Sequence, residues 1–583
     1  MTDSPASTDP TSGEDLAGLF AATGVPASFT ARAAARLGPD AAARLRADPW
    51  RLLRVPGVTP AQADHFARGH LGEEARPDDP RRGRALVEHL MAEAARQGHT
   101  VTPVADVLAA LERMKVADPR RAVEDALDEA EVLALTEEPE FDEAAFDEDA
   151  ELPEPEETLG LARWAMAEET AAEGFQRLTA TGAPLLDDDT IRALRAGLPE
   201  DRSLALTATL RTGVTMLRGA PADVTATALA IAGAAAGQEL RVAVAAPTAR
   251  AAAALAPAAD AGFAAAGLHD LLEPLPEAAP AGGVAFARGE QRPLELDLLI
   301  LPDAAGLDVE LAAVLVEACA DGTHLVLGAA PGALPPAGPG AVLHDLEASE
   351  TVPVVELDPA GPGGPLAGLA AAVRGGELIA VDAPDREVVI VPAASPAETV
   401  HRAVQLVADS IPRALGIAVE DVQVIALAAG GEAGAGALNA ALKERLNPGS
   451  GAFGGFDAGD RVVVAAPLPQ AAVGETGTVA GAGPEGLRVT FAGGAATVPP
   501  AAVPRLRHGW ALPVSLGRGT PRPAVVAVVA GDAALSRPLV AAAFGLARRH
   551  LSVVQAAGPA LARAVRETEA PARRTRLARL VVQ

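Results

Sequence analysis

Apolar and polar positions fall into distinct regimes along the 583 residues. Over residues 16–72, apolar side chains recur at helical spacing around two hairpin-like turns, ATGVPASFTARAAARLG and LLRVPGVTPAQADHFARG. Residues 77–135 read as three amphipathic helices with a TxxP start at residues 100–103, and residues 158–198 again as helices. Farther along, short unbroken apolar runs such as 298–301 and 424–427 predict strands buried on both faces, the signature of parallel sheet. Residues 459–506 instead alternate apolar and polar between Gly turns, which predicts a small antiparallel β-barrel.

Composition narrows the classes. The hydrophobic share is 49%, but Ala supplies much of it, and no run has the large apolar side chains of a spanning helix. The polar N-terminus lacks the basic and apolar regions of a signal peptide, so a cytoplasmic protein is expected, with no membrane partner. A single cysteine, Cys319, excludes an internal disulfide and any Cys-cluster metal site, and the ten histidines form no metal constellation. Only two lysines occur, Lys115 and Lys443.

The net charge of −29 argues against generic nucleic-acid binding, but its distribution is uneven. Residues 30–121 carry 16 basic against 12 acidic side chains, and residues 501–583 carry 13 against 3. Much acid lies in one run, EEPEFDEAAFDEDAELPEPEE at 137–157, with the composition of a disordered linker.

Candidate chemistry centres on residues 216–227, MLRGAPADVTAT, between a strand-like segment and the helix-like run LAIAGAAAGQE. A working phosphate-binding loop there reads Gly-x-x-x-x-Gly-Lys-Ser/Thr. Counted from Gly219, the second glycine falls on Val224, the lysine on Thr225 and the magnesium-binding hydroxyl on Ala226, with Asp223 adding a negative charge. Downstream come VAVAAPTARAAAAL (242–255), GLHDLL (267–272), DLLILPDAAGLD (297–308), HLVLGAAPGALPPAGPGAVLHDL (324–346) and DVQVIALAAGGEAGAGALNAALKERLNP (421–448). In this order the segments resemble the RecD-type DNA helicases of superfamily 1 that carry an N-terminal helix-hairpin-helix region. The resemblance runs from about residue 19 to the C-terminus.

Matches and departures separate by role. Strand cores and turn residues match, whereas the charged positions that serve ATP in the family do not. The metal-binding Asp falls on Pro302 and the catalytic Glu on Asp303. The γ-phosphate-sensing Gln falls on Ala333, and the family's LTEIFRQ corresponds to LDPAGPG at 357–363, without an Arg. TVHKSQGSE corresponds to PVSLGRGTP at 513–521, which keeps Gly519 and loses the Lys, Gln and Glu. The arginine finger falls on Leu546, with the next arginine kept as Arg548. Phosphoryl transfer rests on positioning plus cationic and metal stabilisation of spreading charge. The resemblance thus implies a vestigial nucleotide site with no catalytic residue, and loss of the ATP and magnesium expected of the family.

The implied fold is α/β: a helical helix-hairpin-helix region, then two RecA-like parallel-sheet domains, the second with an SH3-like β-barrel insertion. The expected layout is a disordered leader (1–14), the hairpin region (15–76), a winged-helix-like segment (77–135), the acidic linker (136–157), the first RecA-like domain (158–355), the second (356–458 and 505–583) and the insertion (459–504). In the hairpin, Pro56, Gly57, Val58 and Thr59 form a turn whose backbone N–H groups suit a DNA phosphate, flanked by Arg51, Arg54 and Arg68. Thr59 stands where the family has Gly. The PTAR segment implicates Thr248 and Arg250 in backbone contact, and a C-terminal cluster, Arg573, Arg574, Arg576 and Arg579, adds positive charge. The reading is a RecD-like pseudo-helicase that binds single-stranded or junction DNA without sequence preference, accessory to repair or recombination, with repair proteins as partners. An active ATP-dependent 5′→3′ helicase and a protein scaffold without DNA binding are the competing expectations.

Overall fold

The structure, a computed structural model, describes residues 10–26, 29–38, 40–137, 155–257, 262–278, 283–361 and 363–583. The chain divides into two compact units. The first comprises residues 1–169 together with Gly338–Gly340 and Arg573–Arg576, and the second the remainder.

The first unit opens with α1 (Pro10–Thr23), α2 (Thr30–Leu37), α3 (Ala41–Ala47), a 3-10 turn at Pro49–Arg54 and α4 (Pro60–Leu71). Helix α1 reaches back to Pro10, inside the expected leader, because proline suits a first helical position and Leu16, Leu19 and Phe20 bury one face. Phe20 meets Phe66 of α4 edge-on, with centroids 5.9 Å apart. Three helices follow as expected: α5 (Pro80–Arg96), α6 (Val104–Arg113) and α7 (Pro119–Asp128). A small antiparallel sheet joins them, β1 (Thr102–Pro103), β3 (Glu156–Leu161) and β2 (Val132–Glu137), with Val132 opposite Leu161. The strands extend into both ends of the expected linker, so residues 136–137 and 156–157 belong to this sheet. The rest of the acidic run, 138–154, lies outside the described residues, as do residues 1–9 of the leader.

Residues 573–576 are built into this unit. Arg573 donates to the carbonyls of Gly338 (2.8 Å) and Gly340 (2.7 Å), and Gly340 N–H donates to Gly98 O. A Cβ on Gly98, whose φ is +94°, would lie 2.3 Å from the Arg573 guanidinium, so only glycine fits. The buried carboxylate of Glu168 accepts from the Thr100 hydroxyl and from Arg576 N–H.

In the second unit, α8 (Ala162–Thr181, beginning in the first unit), α9 (Asp188–Leu194) and α10 (Glu200–Arg211) lead to β4 (Val214–Arg218), α11 (Pro221–Ala236), β5 (Val242–Ala246), α12 (Ala249–Leu255) and β6 (Ala264–Gly267). A hairpin of β7 (Pro274–Ala278) and β8 (Val284–Phe286) precedes β9 (Leu298–Leu301), β10 (His324–Ala329) and β11 (Val354–Glu356). The first sheet is parallel throughout, in the order β11-β4-β10-β9-β5-β6. Every residue of β5 and β9 is buried, as their unbroken apolar runs require. Helix α11 lays Val224, Ala228, Ile231, Ala232 and Ala235 on this sheet at i, i+4, i+7, i+8 and i+11 spacing.

The second parallel sheet takes β12 (Val388–Pro392), β13 (Val422–Ala426), β19 (Ala511–Pro513), β20 (Arg522–Val529) and β21 (Ala547–Gln555), in the order β12-β21-β20-β13-β19. Between β13 and β19 the chain makes an antiparallel sheet: β14 (Arg461–Val464), β15 (Thr476–Gly483), β16 (Gly486–Phe491), β17 (Gly494–Val498) and β18 (Leu506–His508). Burial alternates along β16, and its inward residues Leu487, Val489 and Phe491 share a core with Val462, Val479 and Val498. β18 pairs with β14, so this barrel-like insertion runs past residue 504. Lys443, on the helix Ala435–Leu446, ties the insertion down: its Nζ donates to Asp457 (2.7 Å) and to fully buried Asp460 (2.7 Å). Cys319 is buried, and burial pushes its thiol up to about 12.

Phe66 is completely buried in the first unit, so Phe66→Ala should cost about 3–5 kcal/mol by lost burial and a residual cavity. Urea denaturation of the full chain is expected to show the first-unit transition at lower denaturant, with the second-unit transition unmoved.

Candidate nucleotide cleft and nucleic-acid interface

The C-terminal ends of parallel strands are where α/β domains bind ligands. At that edge of the first sheet, β4 runs into Gly219 and Ala220, and α11 begins at once with Pro221. Proline at the first helical position favours the turn and gives up no needed donor. The backbone is therefore helical before Val224, whose N–H already donates to Ala220 O at 3.0 Å. None of residues 219–227 has positive φ. The left-handed residues that curve a loop into a phosphate nest are absent from this segment.

Val224 is fully buried. A Cβ on Gly328, near the end of β10, would come within 2.6 Å of both Val224 Cγ1 and the Pro302 carbonyl oxygen. A Cβ on Gly219 would lie 3.0 Å from Leu357 Cβ and 3.6 Å from Val224 Cγ2. Gly219, Val224, Pro302 and Gly328 thus close on one another, with a branched side chain among them. Thr225 and Ala226 continue α11, half-buried and exposed respectively.

Asp223 is held from outside the loop. Arg202, on α10, pairs with it at 3.2 Å, and Ala360 N–H donates to the same carboxylate oxygen at 3.1 Å. Arg202 also donates to Asp358 O, while Asp358 N–H donates to Asp201. The segment following β11 is thereby fastened over the start of α11. Arg218 is engaged as well, pairing with Glu347 and with Glu356.

The remaining positions are dispersed. Pro302 and Asp303 follow β9; burial pushes the Asp303 carboxyl up, and the charge of Arg518 opposes this. Arg518 donates to Ala305 O (2.5 Å) and Pro335 O (2.6 Å), clamping the loops after β9 and β10. Sequence reasoning missed this residue. It stands where the family has the Gln of TVHKSQGSE, and the Gln-to-Arg exchange was its only signal. Ala333 sits in a tight turn, its N–H donating to Ala330 O, and lines a small cavity of about 150 Å³ with Arg218 and His344. Leu546 points away into the core of the second sheet, where a Cβ on Gly517 would approach its Cδ1 to 3.4 Å. Arg548 is exposed at the irregular start of the β20–β21 pairing, beside Arg549.

Thr248 and Arg250 start α12. Thr248 is buried, caps the helix by accepting from Ala251 N–H, and meets Thr520 Oγ1 at 3.2 Å. Arg250 faces the inserted sheet: its N–H donates to Glu475 and its Nε to Thr476 Oγ1, which also accepts from Arg522. Crowding with Arg250 and burial bring Arg461 and Arg522 down to about 10. Burial pushes Glu475 the other way.

In the first unit, Pro56, Gly57 and Thr59 are exposed at the hairpin turn, with Val58 anchored in the core and Gly57 at φ +88°. Thr59 caps α4 in a reciprocal box with Gln62: Gln62 N–H donates to Thr59 Oγ1, and Thr59 N–H donates to Gln62 Oε1. This occupies two donors that a glycine in its place would not tie up so fully. Of the flanking arginines, Arg51 pairs with Asp48 and Glu129, and Arg54 with Glu88 and Glu131. Arg68 is exposed without an ion pair among the described residues. The C-terminal arginines do not form a free basic surface, since Arg573, Arg574 and Arg576 serve carbonyls and carboxylates of their own unit.

The family model of the ATP-dependent RecD2 DNA helicase HHH domain matches residues 11–101, and that of the AAA domain matches residues 203–339. Solved structures with overlapping folds include a Pif1 helicase from Bacteroides in complex with ADP-AlF3 and ssDNA, at 13% identity and TM-score 0.36 over 63% of this chain and 92% of that one. A second is Pif1 helicase from Candida albicans, at 14% identity and TM-score 0.31 over 61% and 95%. At such TM-scores these overlaps support nothing further. The hairpin domain and the AAA domain are thus matched in that order, ahead of a second parallel sheet that carries a barrel-like insertion, an arrangement that supports a RecD-type superfamily 1 helicase.

Proposed function

We propose that this chain is a RecD-like pseudo-helicase, a DNA-binding protein that does not hydrolyse ATP. The observation that carries the reading is Val224, buried where a phosphate would have to sit, in a helix that starts at Pro221. The residues present do not fit magnesium and a triphosphate. Pro302 offers no side-chain ligand, Asp303 faces Arg518, Asp223 is already paired, and Leu546 lies in a core. No cluster of three or more metal-binding side chains occurs among the described residues.

DNA binding is assigned to the hairpin turn of the first unit, where Pro56, Gly57 and Thr59 are exposed, with the exposed Arg68 in the last turn of the helix that follows. Thr248 and Arg250 are engaged internally, which supports the hairpin as the main contact. Phosphate contact through a turn is indifferent to sequence, so single-stranded or junction DNA without sequence preference is the partner, in the service of repair or recombination.

With purified protein, phosphate release from ATP should stay at background with and without DNA. Turnover that Thr225→Ala removes would overturn the reading. Restoring Thr225→Lys and Val224→Gly together should give no activity, because the metal and finger positions remain empty. Leu546→Arg should not restore a finger either. It places a charge in an apolar core, with an expected loss of about 3–5 kcal/mol visible as a lowered Tm. Finally, DNA affinity measured across a salt series should fall steeply, and Arg68→Ala should reduce the slope by roughly one unit at every sequence tested. No binding at low salt would instead favour a protein scaffold.

A further inference from the structure

A cavity of about 560 Å³ opens beside the hairpin turn in the first unit, within the size range of ligand sites. Its walls come from Pro56, Gly57 and Thr59 on one side and from helix α5 on the other, with Leu53, Val55, Ala85 and Ala92 as apolar surface. The charged lining is balanced: Arg36, Arg54 and Arg96 against Glu88, Glu93 and Glu131. Arg54 is already satisfied by Glu88 (2.8 Å) and Glu131 (2.8 Å), and Arg96 pairs with Glu93. A second phosphate entering here would meet three carboxylates, so the cavity suits an uncharged ligand.

Two groups in the lining are uncommitted. Arg36 makes no hydrogen bond or ion pair among the described residues, and burial together with the charges of Arg54 and Arg163 weighs on its guanidinium. His89 makes no hydrogen bond among them either. Burial and Arg96 hold its imidazole below the usual range, so the ring is neutral at pH 7. A neutral aromatic ring offers a stacking face, and a free guanidinium offers donors to the acceptor edge of a base.

We infer that this cavity receives an unstacked nucleobase from the DNA strand whose phosphate lies on the hairpin turn. The inference rests on DNA binding by the hairpin and adds to it a preference for DNA with a base out of the stack. The cavity adjoins the turn directly, so phosphate and base of neighbouring positions on one strand can be held together. Unstacking is least costly where a base is unpaired, which favours bulged or frayed DNA over continuous duplex.

The test compares three fluorescein-labelled duplexes bound to the full chain: continuous, with one bulged adenine, and with one bulged abasic residue. The two bulged duplexes share their phosphates and differ in the base. The bulged adenine should bind roughly fivefold or more tightly than the abasic bulge, a ratio expected of one stacked base. In His89→Ala that ratio should fall to within about twofold, and Arg36→Gln should reduce it as well. Equal affinity for the two bulges, with continuous duplex still bound, overturns the base pocket and leaves DNA binding standing. A ratio retained in both variants also overturns it. Failure to bind any of the three duplexes removes the DNA reading and the pocket together.

Discussion

The packing of Val224 at the C-terminal edge of the first parallel sheet governs the rest of the cleft. Its side chain lies where β4, β9 and β10 end, against Gly219, Pro302 and Gly328. Filling that volume lets α11 start directly after the strand, with no left-handed residues and no wrapped loop. Once the cradle is closed, the groups around it acquire other partners. Asp223 receives Arg202 and Ala360, the segment after β11 settles over the helix start, and Arg518 grips carbonyls of the loops after β9 and β10. An apolar contact of this kind is worth more to the folded chain than an open polar cradle, which stores unsatisfied amides until a ligand arrives.

Arginine does most of the cationic work, and several arginines spend it on internal contacts. Fixed, planar guanidiniums bridge carbonyls and carboxylates between segments distant in sequence, as Arg573 and Arg518 do. Part of the positive charge of the basic stretches is thereby spent inside the fold. The arginine-rich C-terminal segment is a structural strap. Among the described residues, Arg36 lines the cavity beside the hairpin turn without an ion pair.

The two parallel sheets, the inserted antiparallel sheet and the helical N-terminal region follow from patterning that is local. Continuous apolar runs such as Leu298–Leu301 have no polar face to offer solvent, and alternation across residues 486–491 has one. The residue types at the cleft were equally legible, because the lack of a lysine in residues 219–227 holds in any conformation. Boundaries were less so: strand residues 156–161 belong to the N-terminal sheet, because Leu159 and Leu161 pair with β2, a partner about 25 residues away. The expected DNA-contact set was read from charge and motif, and the structure engages Arg51, Arg54, Thr248 and Arg250 in contacts of their own.

By itself the sequence determined which elements form and which residue types stand at the strand ends, since both depend on residue type and short-range spacing. The tertiary structure alone decided what those residues pack against and which charges remain available. Whether Val224 fills a cradle, whether Arg573 is a strap or a DNA contact, and whether Arg36 and His89 share a cavity depends on segments tens to hundreds of residues apart. Long-range packing brings those segments together, and no local pattern encodes the pairing of one buried charge or methyl group with another.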